Sequence, residues 1–371
     1  MLRFSGFTDE WNEVTLNDVA TFSKGKGISK NDISNYGIEC VRYGELYTKY
    51  NEMIYNIESK TDLDKNELKL SEKNDILIPC SGETAIDLAT ASCIQKDQVA
   101  IGGDITVIKT NQYAPFITYY LNQKKTEIAK YAQGVSIVHL YPKDFKVMNI
   151  RIPSINEQKM IIRLLEEITK KEQLLESKYQ QYQEFKKYLM QQIFTQKLRF
   201  NFDDEWKQYK LKDVLTVKSS SISINQLEEN TGDYPLYGAS GFLKNIDFCE
   251  MDVDYISIVK DGSGVGNLSF HEKNSSIVNT SQYLLPKKNF NINFLYYLLQ
   301  TINLMKYVNG SSIPHIYFKD YCIEKINIPS LDEQEKIGKL FVDVDITMEN
   351  LNKNINATQE FKKGLLQQMF V

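Results

Sequence analysis

The chain has 371 residues, 42 % of them hydrophobic and 25 % charged, with a net charge of −4. This is the composition of a globular protein with room for two or three domains, and it excludes a disordered or fibrous chain. No run of about 18 apolar residues is present, so no membrane-spanning helix is expected. The start, MLRFSGFTDEW, lacks the apolar core of a secretion signal. The five cysteines, Cys40, Cys80, Cys93, Cys249 and Cys322, are odd in number and never spaced C-x-x-C. With only three histidines beside them they predict no metal site and a reducing, cytoplasmic setting. The pI near 5.7 argues against a protein that grips nucleic acid through its average charge; any such contact must be a local patch or be shared with partners.

The chain opens on FTDEWNEVTLNDVA (Phe7–Ala20), and residues 21–150 then read as mixed strand and helix. DILIPC (Asp75–Cys80) and ITVIKT (Ile105–Thr110) are β-rich runs bounded by turns, and APFITYYLNQ reads as a helix. Residues 20–150 hold 16 basic and 16 acidic side chains. Polar loops offer Lys24, Lys26, Lys30, Arg42, Tyr43, Ser81, Thr84 and Gln133 as candidate DNA contacts. Lysine holds phosphate, while arginine, asparagine and glutamine can pair with base edges. For any single one of these residues a plain solvated loop is the commoner role.

A strand ending at Pro153 leads into Ser154 with Glu157 three places on, the pattern of a capping box at a helix start. The helical pattern then runs for some forty residues. Alternate steps of four and three from Ile161 give Leu165, Ile168, Glu172, Leu175, Tyr179, Tyr182, Lys186, Leu189 and Ile193. Such a 3.5-residue stripe predicts a coiled-coil seam on a helix of about 60 Å. A stripe that packs only on its own domain is the alternative, but one small domain could not cover that length.

The second half repeats the first. FDDEWKQYKLKDVL (Phe202–Leu215) matches the opening segment at an offset of 195, and Leu198-Arg199-Phe200 echoes Leu2-Arg3-Phe4. GSSIPHIYFKDYCIEKINIPSLDEQ (Gly310–Gln334) matches GVSIVHLYPKDFKVMNIRIPSINEQ (Gly134–Gln158) at an offset of 176, and FKKGLLQQMF (Phe361–Phe370) matches FKKYLMQQIF (Phe185–Phe194). Pro329, Ser330 and Glu333 repeat the strand end and capping box. The stripe recurs as Ile337, Phe341, Val344, Met348, Leu351, Ile355, Thr358, Lys362, Leu365 and Met369. Between the shared ends lies a divergent middle with strands DYISIVK (Asp254–Lys260) and SQYLLP (Ser281–Pro286), and a helix in NINFLYYLLQ. Residues 216–325 hold 9 basic and 11 acidic side chains. The candidates for DNA contact there are Lys218, Ser219, Ser220, Ser221, Tyr237, Lys244, Lys260, Ser263, Asn279 and Gln282. Read cyclically, the two halves close on themselves, as a fused two-fold dimer would.

The signals for chemistry are weak. Gly262-x-Gly264-x-Gly266 follows a strand and suggests a nucleotide-binding turn, but no clear amphipathic helix or ribose-binding acid follows. His139 and His315 are repeat partners, which favours a structural role. No G-x-x-x-x-G-K-[ST] loop and no N-P-P-[FYW] motif occurs, so no cofactor and no catalytic residue are expected.

Two divergent regions, each followed by I-P-x-x-x-E-Q and a helix ending F-K-K-x-L-x-Q-Q-x-F, resemble the specificity subunit of type I restriction–modification systems. The resemblance spans the whole chain. It implies an α+β protein in which two mixed α/β target-recognition domains are separated by two long antiparallel coiled-coil helices with pseudo-two-fold symmetry. On that pattern residues 1–153 and 200–329 are the recognition domains, and 154–199 and 330–371 are the helices. It further implies a non-catalytic subunit that reads a split, asymmetric site in double-stranded DNA. The implied partners are two modification subunits that methylate adenine and restriction subunits that translocate and cut, with no membrane. One departure is Gly364 in place of Tyr188. The rivals are a self-contained nuclease or methylase, and a coiled-coil scaffold that binds only protein.

Overall fold

Each half of the chain builds a β-rich domain on a pair of helix segments, and the long helices supply one segment to each of two units. The computed structural model describes residues 2–134, 138–227 and 230–370. Residues 135–137 of the repeated segment Gly134–Gln158, and the end residues 1 and 371 of the assigned domains, lie outside the described residues. Unit 1 comprises Met1–Leu174 with Ile355–Val371, and unit 2 comprises Leu175–Asn354.

The helices are Ile155–Phe194 and Leu331–Met369. None of the ten positions of either stripe is exposed, whereas most residues between them are. In unit 1, Ile161, Ile162, Leu165 and Ile168 share a core with Leu365, Met369 and Phe370, and Lys362 reaches Glu172 at 3.6 Å. The pairing of early positions with late ones makes these segments antiparallel. In unit 2, Leu189 and Ile193 pack with Ile337 and Phe341, and Lys186 meets Asp345 at 2.6 Å. The two stripe lysines Lys186 and Lys362, repeat partners, are thus each neutralised by an acid on the facing helix. That tolerates a charge in a seam that otherwise favours apolar side chains.

The middles share more in space than in sequence. In unit 1 the strand Ile105–Thr110 lies between Ala20–Lys24 and Ile76–Pro79, antiparallel to both. In unit 2 Ser281–Pro286 lies likewise between Leu215–Ser219 and Tyr255–Val259. The central strand of each trio is largely or wholly buried in its inner part, which explains its apolar run. The helices Ala114–Gln123 and Ile292–Gln300 cover the sheets. Beyond these trios the units differ. Unit 1 adds Ser92–Ile94 and Met53–Ile54 to the trio and carries a four-stranded sheet containing Ile38–Val41 and Ser59–Thr61. Unit 2 adds Leu268–His271 and carries a three-stranded sheet of Gly241–Ile246, Tyr234–Gly238 and Ser276–Ile277.

The repeated motifs hold each unit shut. The opening segments form strands, Asn12–Thr15 against Asn149–Ile152 and Lys207–Lys210 against Lys325–Ile328, so each unit is closed by its own first and last strands. The capping boxes need correction. The amide of Glu157 donates to Ser154 Oγ at a long 3.4 Å, and Ser330 Oγ has no partner. Both glutamates instead accept two bonds from an arginine, Glu157 from Arg3 at 2.8 and 2.7 Å and Glu333 from Arg199 at 3.1 and 2.7 Å. A bidentate guanidinium satisfies a buried carboxylate better than one helix-end amide does. The glutamine that follows is also used. Gln158 Oε1 accepts from the Tyr113 amide and Gln334 Oε1 from the Asn291 amide, each at the cap of the covering helix. Their side-chain amides donate to Pro153 O and Pro329 O. The motif I-P-x-x-x-E-Q is therefore a joint between strand, long helix and covering helix.

Aromatic rings complete the joint. Trp11 lies edge-on to Phe116, which packs on Phe370 at 5.2 Å; Trp206 lies edge-on to Phe294, which packs on Phe194 at 5.7 Å. The repeat-equivalent segments dock alike on the two helix ends: the Leu198 amide donates to Gln192 O, and the Leu2 amide, at the start of the chain, donates to the equivalent Gln368 O.

Candidate nucleic-acid interface

The loops at one end of each strand trio gather several of the residues singled out in the sequence. In unit 1, Lys24 ends its strand beside Thr106, and Ser81 follows Ile76–Pro79. Ser81 is buried, its Oγ 3.3 Å from His139 Nδ1, and Gln133 bridges the same histidine through the backbone. Lys24 Nζ lies over the Tyr141 ring at 5.9 Å. In unit 2 the equivalent strand end carries Ser219, to which Gln282 Nε2 donates at 3.1 Å. Gln282 Oε1 is buried without a partner. Lys260 stands at the end of the next strand, its amide bonded to Thr280 O and its amine 3.6 Å from Asp261.

Other candidates fall into separate groups. Lys30, Arg42 and Tyr43 line a surface cavity of about 360 Å³ with Ile28 and Tyr47. Arg42 caps the helix Tyr43–Thr48 and pairs with the buried Glu45 at 3.3 Å, which draws part of its charge inward; its Nε has no partner. The Glu45 carboxyl lies below its usual range, because bonds from Ser59 and the Arg42 amide outweigh the opposing effect of burial. Lys26 is exposed in the loop after the strand Ala20–Lys24. Thr84 caps the helix Ala85–Leu88 and bonds Asp87. In unit 2, Lys218 donates to Glu250 O and lies over Tyr283, while Ser221 reaches Glu250 Oε1. Ser220 is buried and donates to Ile277 O at 2.6 Å. Lys244 donates to Leu227 O. Tyr237 packs on His271, 4.4 Å between rings. Asn279 is exposed, its amide bonded to Ile222 O, and Ser263 sits at a hairpin tip. The two units therefore present different side chains from a similar sheet.

The glycine motif has a structural explanation. Gly262, Gly264 and Gly266 all adopt φ between 83° and 85°, a region that disfavours residues with a Cβ. They turn the strand Tyr255–Val259 back into the antiparallel Leu268–His271. The amides of Gly262, Val265, Gly266 and Asn267 bond Pro314 O, Gly262 O, Val259 O and Gly264 O within the fold. A dinucleotide turn would instead lead into a helix and leave its amides free for phosphate.

His271 is buried between Tyr237 and Tyr255, with Nε2 2.9 Å from Ser257 Oγ, and burial pulls its pKa down to about 4. Burial raises the thiols of Cys40 to about 11 and Cys93 to about 12, as expected of core cysteines. Among the described residues there is no group of three or more potential metal ligands, and no helix is long and apolar enough to cross a membrane.

Sequence reasoning missed one group. His139, Tyr141 and Lys143 recur as His315, Tyr317 and Lys319, the rings of each His–Tyr pair lying 5.9 and 5.0 Å apart. The ungapped repeat was the available signal, and treating the histidines alone hid it.

A duplicated frame that holds two dissimilar loop surfaces defines a class of recognition module. Residues 8–184 and 203–359 each match the type I restriction modification DNA specificity domain, and the chain belongs to that family. It is 28 % identical over 182 residues to the type I restriction enzyme MjaVIII specificity subunit of Methanocaldococcus jannaschii, covering 45 % of this chain and 42 % of that one. A match to the putative MjaX specificity subunit of the same organism spans 46 % of its length, so the chain spans less than half of either relative. It is 24 % identical over 249 residues to the putative specificity subunit S.MpnORF365P of Mycoplasma pneumoniae, covering 65 % of this chain and 91 % of that one. In fold it resembles the type I S subunit from M. genitalium, with a TM-score of 0.72 at 19 % identity, covering 100 % of this chain and 98 % of the other.

Proposed function

We propose that this chain is the DNA-recognition subunit of a type I restriction–modification complex. Residues 1–153 and 200–329 act as its target-recognition domains, and 154–199 and 330–371 as shared helices. Each domain reads one half of a bipartite, asymmetric site in double-stranded DNA. Two modification subunits methylate adenine at sites so selected, and restriction subunits act from the same address. The chain itself contributes recognition and no catalysis, works without a cofactor, and acts in the cytoplasm.

The observation that carries this reading is the conserved joint around divergent loops. Arg3–Glu157 and Arg199–Glu333, the two glutamine staples and the two aromatic groups recur, while the strand-end residues differ. Specificity requires different base contacts in the two halves, and assembly requires a constant frame. Near-neutral domains fit a subunit whose partners share the phosphate contacts.

The test is to produce the chain with the modification subunits of its own system and map methylated adenines across a genome. A single split, asymmetric motif is expected, and replacing loops of residues 216–309 should change only one half. Methylation independent of the chain, or methyl transfer by the purified chain alone at ordinary methylase rates, would overturn the assignment.

A further inference from the structure

We propose that the repeat-equivalent clusters His139–Tyr141–Lys143 and His315–Tyr317–Lys319 each grip a DNA phosphate without reading sequence, one anchor in each unit. This rests on the DNA-recognition reading above and adds residues to it.

The first ground is position. The Leu140 amide donates to Cys80 O at 3.0 Å, and the repeat-equivalent Ile316 amide donates to Lys260 O at 2.8 Å. Two equivalent bonds therefore pin the clusters to the same end of each strand trio. That end carries Lys24 and Ser81 in unit 1, and Ser219, Lys260 and Gln282 in unit 2. A second pair of bonds fixes the histidines, Gln133 exchanging backbone bonds with His139 and Asn309 with His315.

The second ground is chemistry. Lys143 Nζ lies over the Tyr141 ring at 5.9 Å and Lys319 Nζ over Tyr317 at 5.3 Å. Both lysines are exposed, and neither they nor Lys24 has a carboxylate partner among the described ion pairs. Asp144 and Asp320 follow the two lysines, but both are half-buried. Histidine, tyrosine hydroxyl and ammonium are all donors to phosphate oxygen, and the ring face restricts where the amine can lie. Unit 1 adds a second amine, Lys24, over the same ring.

The third ground is the pattern of change. The clusters lie within the repeated segments Gly134–Gln158 and Gly310–Gln334, which keep His-x-Tyr-x-Lys-Asp, while the strand-end loops packed beside them diverge. The interior packing residues beside it, Leu140 and Phe145 against Ile316 and Tyr321, account for the buried positions of the segment and not for the exposed ones. A contact to the phosphate backbone, which is the same for every sequence, is what two domains reading different bases can share.

The experiment measures the salt dependence with which the full chain, assembled with its modification subunits, binds 30-base-pair duplexes of random sequence. Each phosphate contact adds about 0.9 to the slope of log affinity against log salt. Lys143→Ala and Lys319→Ala should each lower the slope by about one, and the double variant by about two. Lys143→Arg and Lys319→Arg should restore it, and Lys178→Ala on the exposed helix surface should leave it unchanged. Sites enriched from a random pool should match those of the unaltered chain. Unaltered slopes in folded alanine variants, with the parent chain binding normally, would overturn the anchors and leave the recognition reading intact. A changed motif would overturn their indifference to sequence. A parent complex with the modification subunits that binds no duplex would overturn the recognition reading and the anchors with it.

Discussion

Removing the guanidinium of Arg199 should strand a buried charge in unit 2. Glu333 is 0 % exposed, while the side chain of Arg199 is 25 % exposed, and they meet at 2.7 Å. At an effective dielectric of 20 the gross attraction at that distance is about 6 kcal/mol, most of it offset by the water both groups have lost. Breaking a fully buried pair costs about 3–5 kcal/mol, and the partial exposure of Arg199 lowers the expectation for Arg199→Met to about 2–3 kcal/mol. Arg199→Met with Glu333→Leu should recover most of that loss, because no unpaired charge remains. The two tryptophans make the assay specific, since Trp11 lies in unit 1 and Trp206 in unit 2. In a Trp11→Phe background, urea unfolding followed by fluorescence reports Trp206, which sits 5.9 Å from Phe294 in the core of unit 2. The single variant should lower the unit 2 transition, with a melting shift of about 5–10 °C. An unchanged midpoint, or a double variant whose loss equals the sum of the two single losses, would refute the latch.

Leu165→Asp should destabilise unit 1 by about 4 kcal/mol, since Leu165 is fully buried among Ile161, Ile168 and Leu365; an unchanged melting temperature would place the seam elsewhere. His271 gives a pH test. Its folded pKa of about 4 lies below the usual 6.5, so the unfolded chain binds the extra proton between those values and stability falls as pH drops through that window. The loss approaches about 3 kcal/mol by pH 4, and His271→Asn should show a shallower decline than the parent in the same unfolding assay. Residues 1–199 should form a homodimer, because Phe185–Phe194 of a second copy can replace Phe361–Phe370 against Phe116 and Leu165; a strictly monomeric fragment in sedimentation would count against it.

The long helices, the strands Ile76–Pro79, Ile105–Thr110, Tyr255–Val259 and Ser281–Pro286, and the two covering helices follow from local pattern alone. Apolar residues at spacings of 3.5 and in short β-branched runs report which side of an element must leave water, and that preference is local. The repeat was equally legible, because an ungapped offset needs no structure. The partners of those residues were not legible. Glu157 and Glu333 look like cap residues when only their neighbours three positions away are considered, and the competing arginines are 154 and 134 residues distant. The Gly262–Gly266 hairpin was ambiguous for the same reason, since only the placement of strand Leu268–His271 separates it from a nucleotide turn. The common strand trio inside dissimilar middles was hidden because sheet pairing constrains burial and register, which many sequences satisfy. Sequence by itself determined the long helices, those four strands, the covering helices, the duplication and the family. Tertiary structure decided which distant groups meet, because ion pairs, staples and loop surfaces depend on proximity that no local pattern encodes.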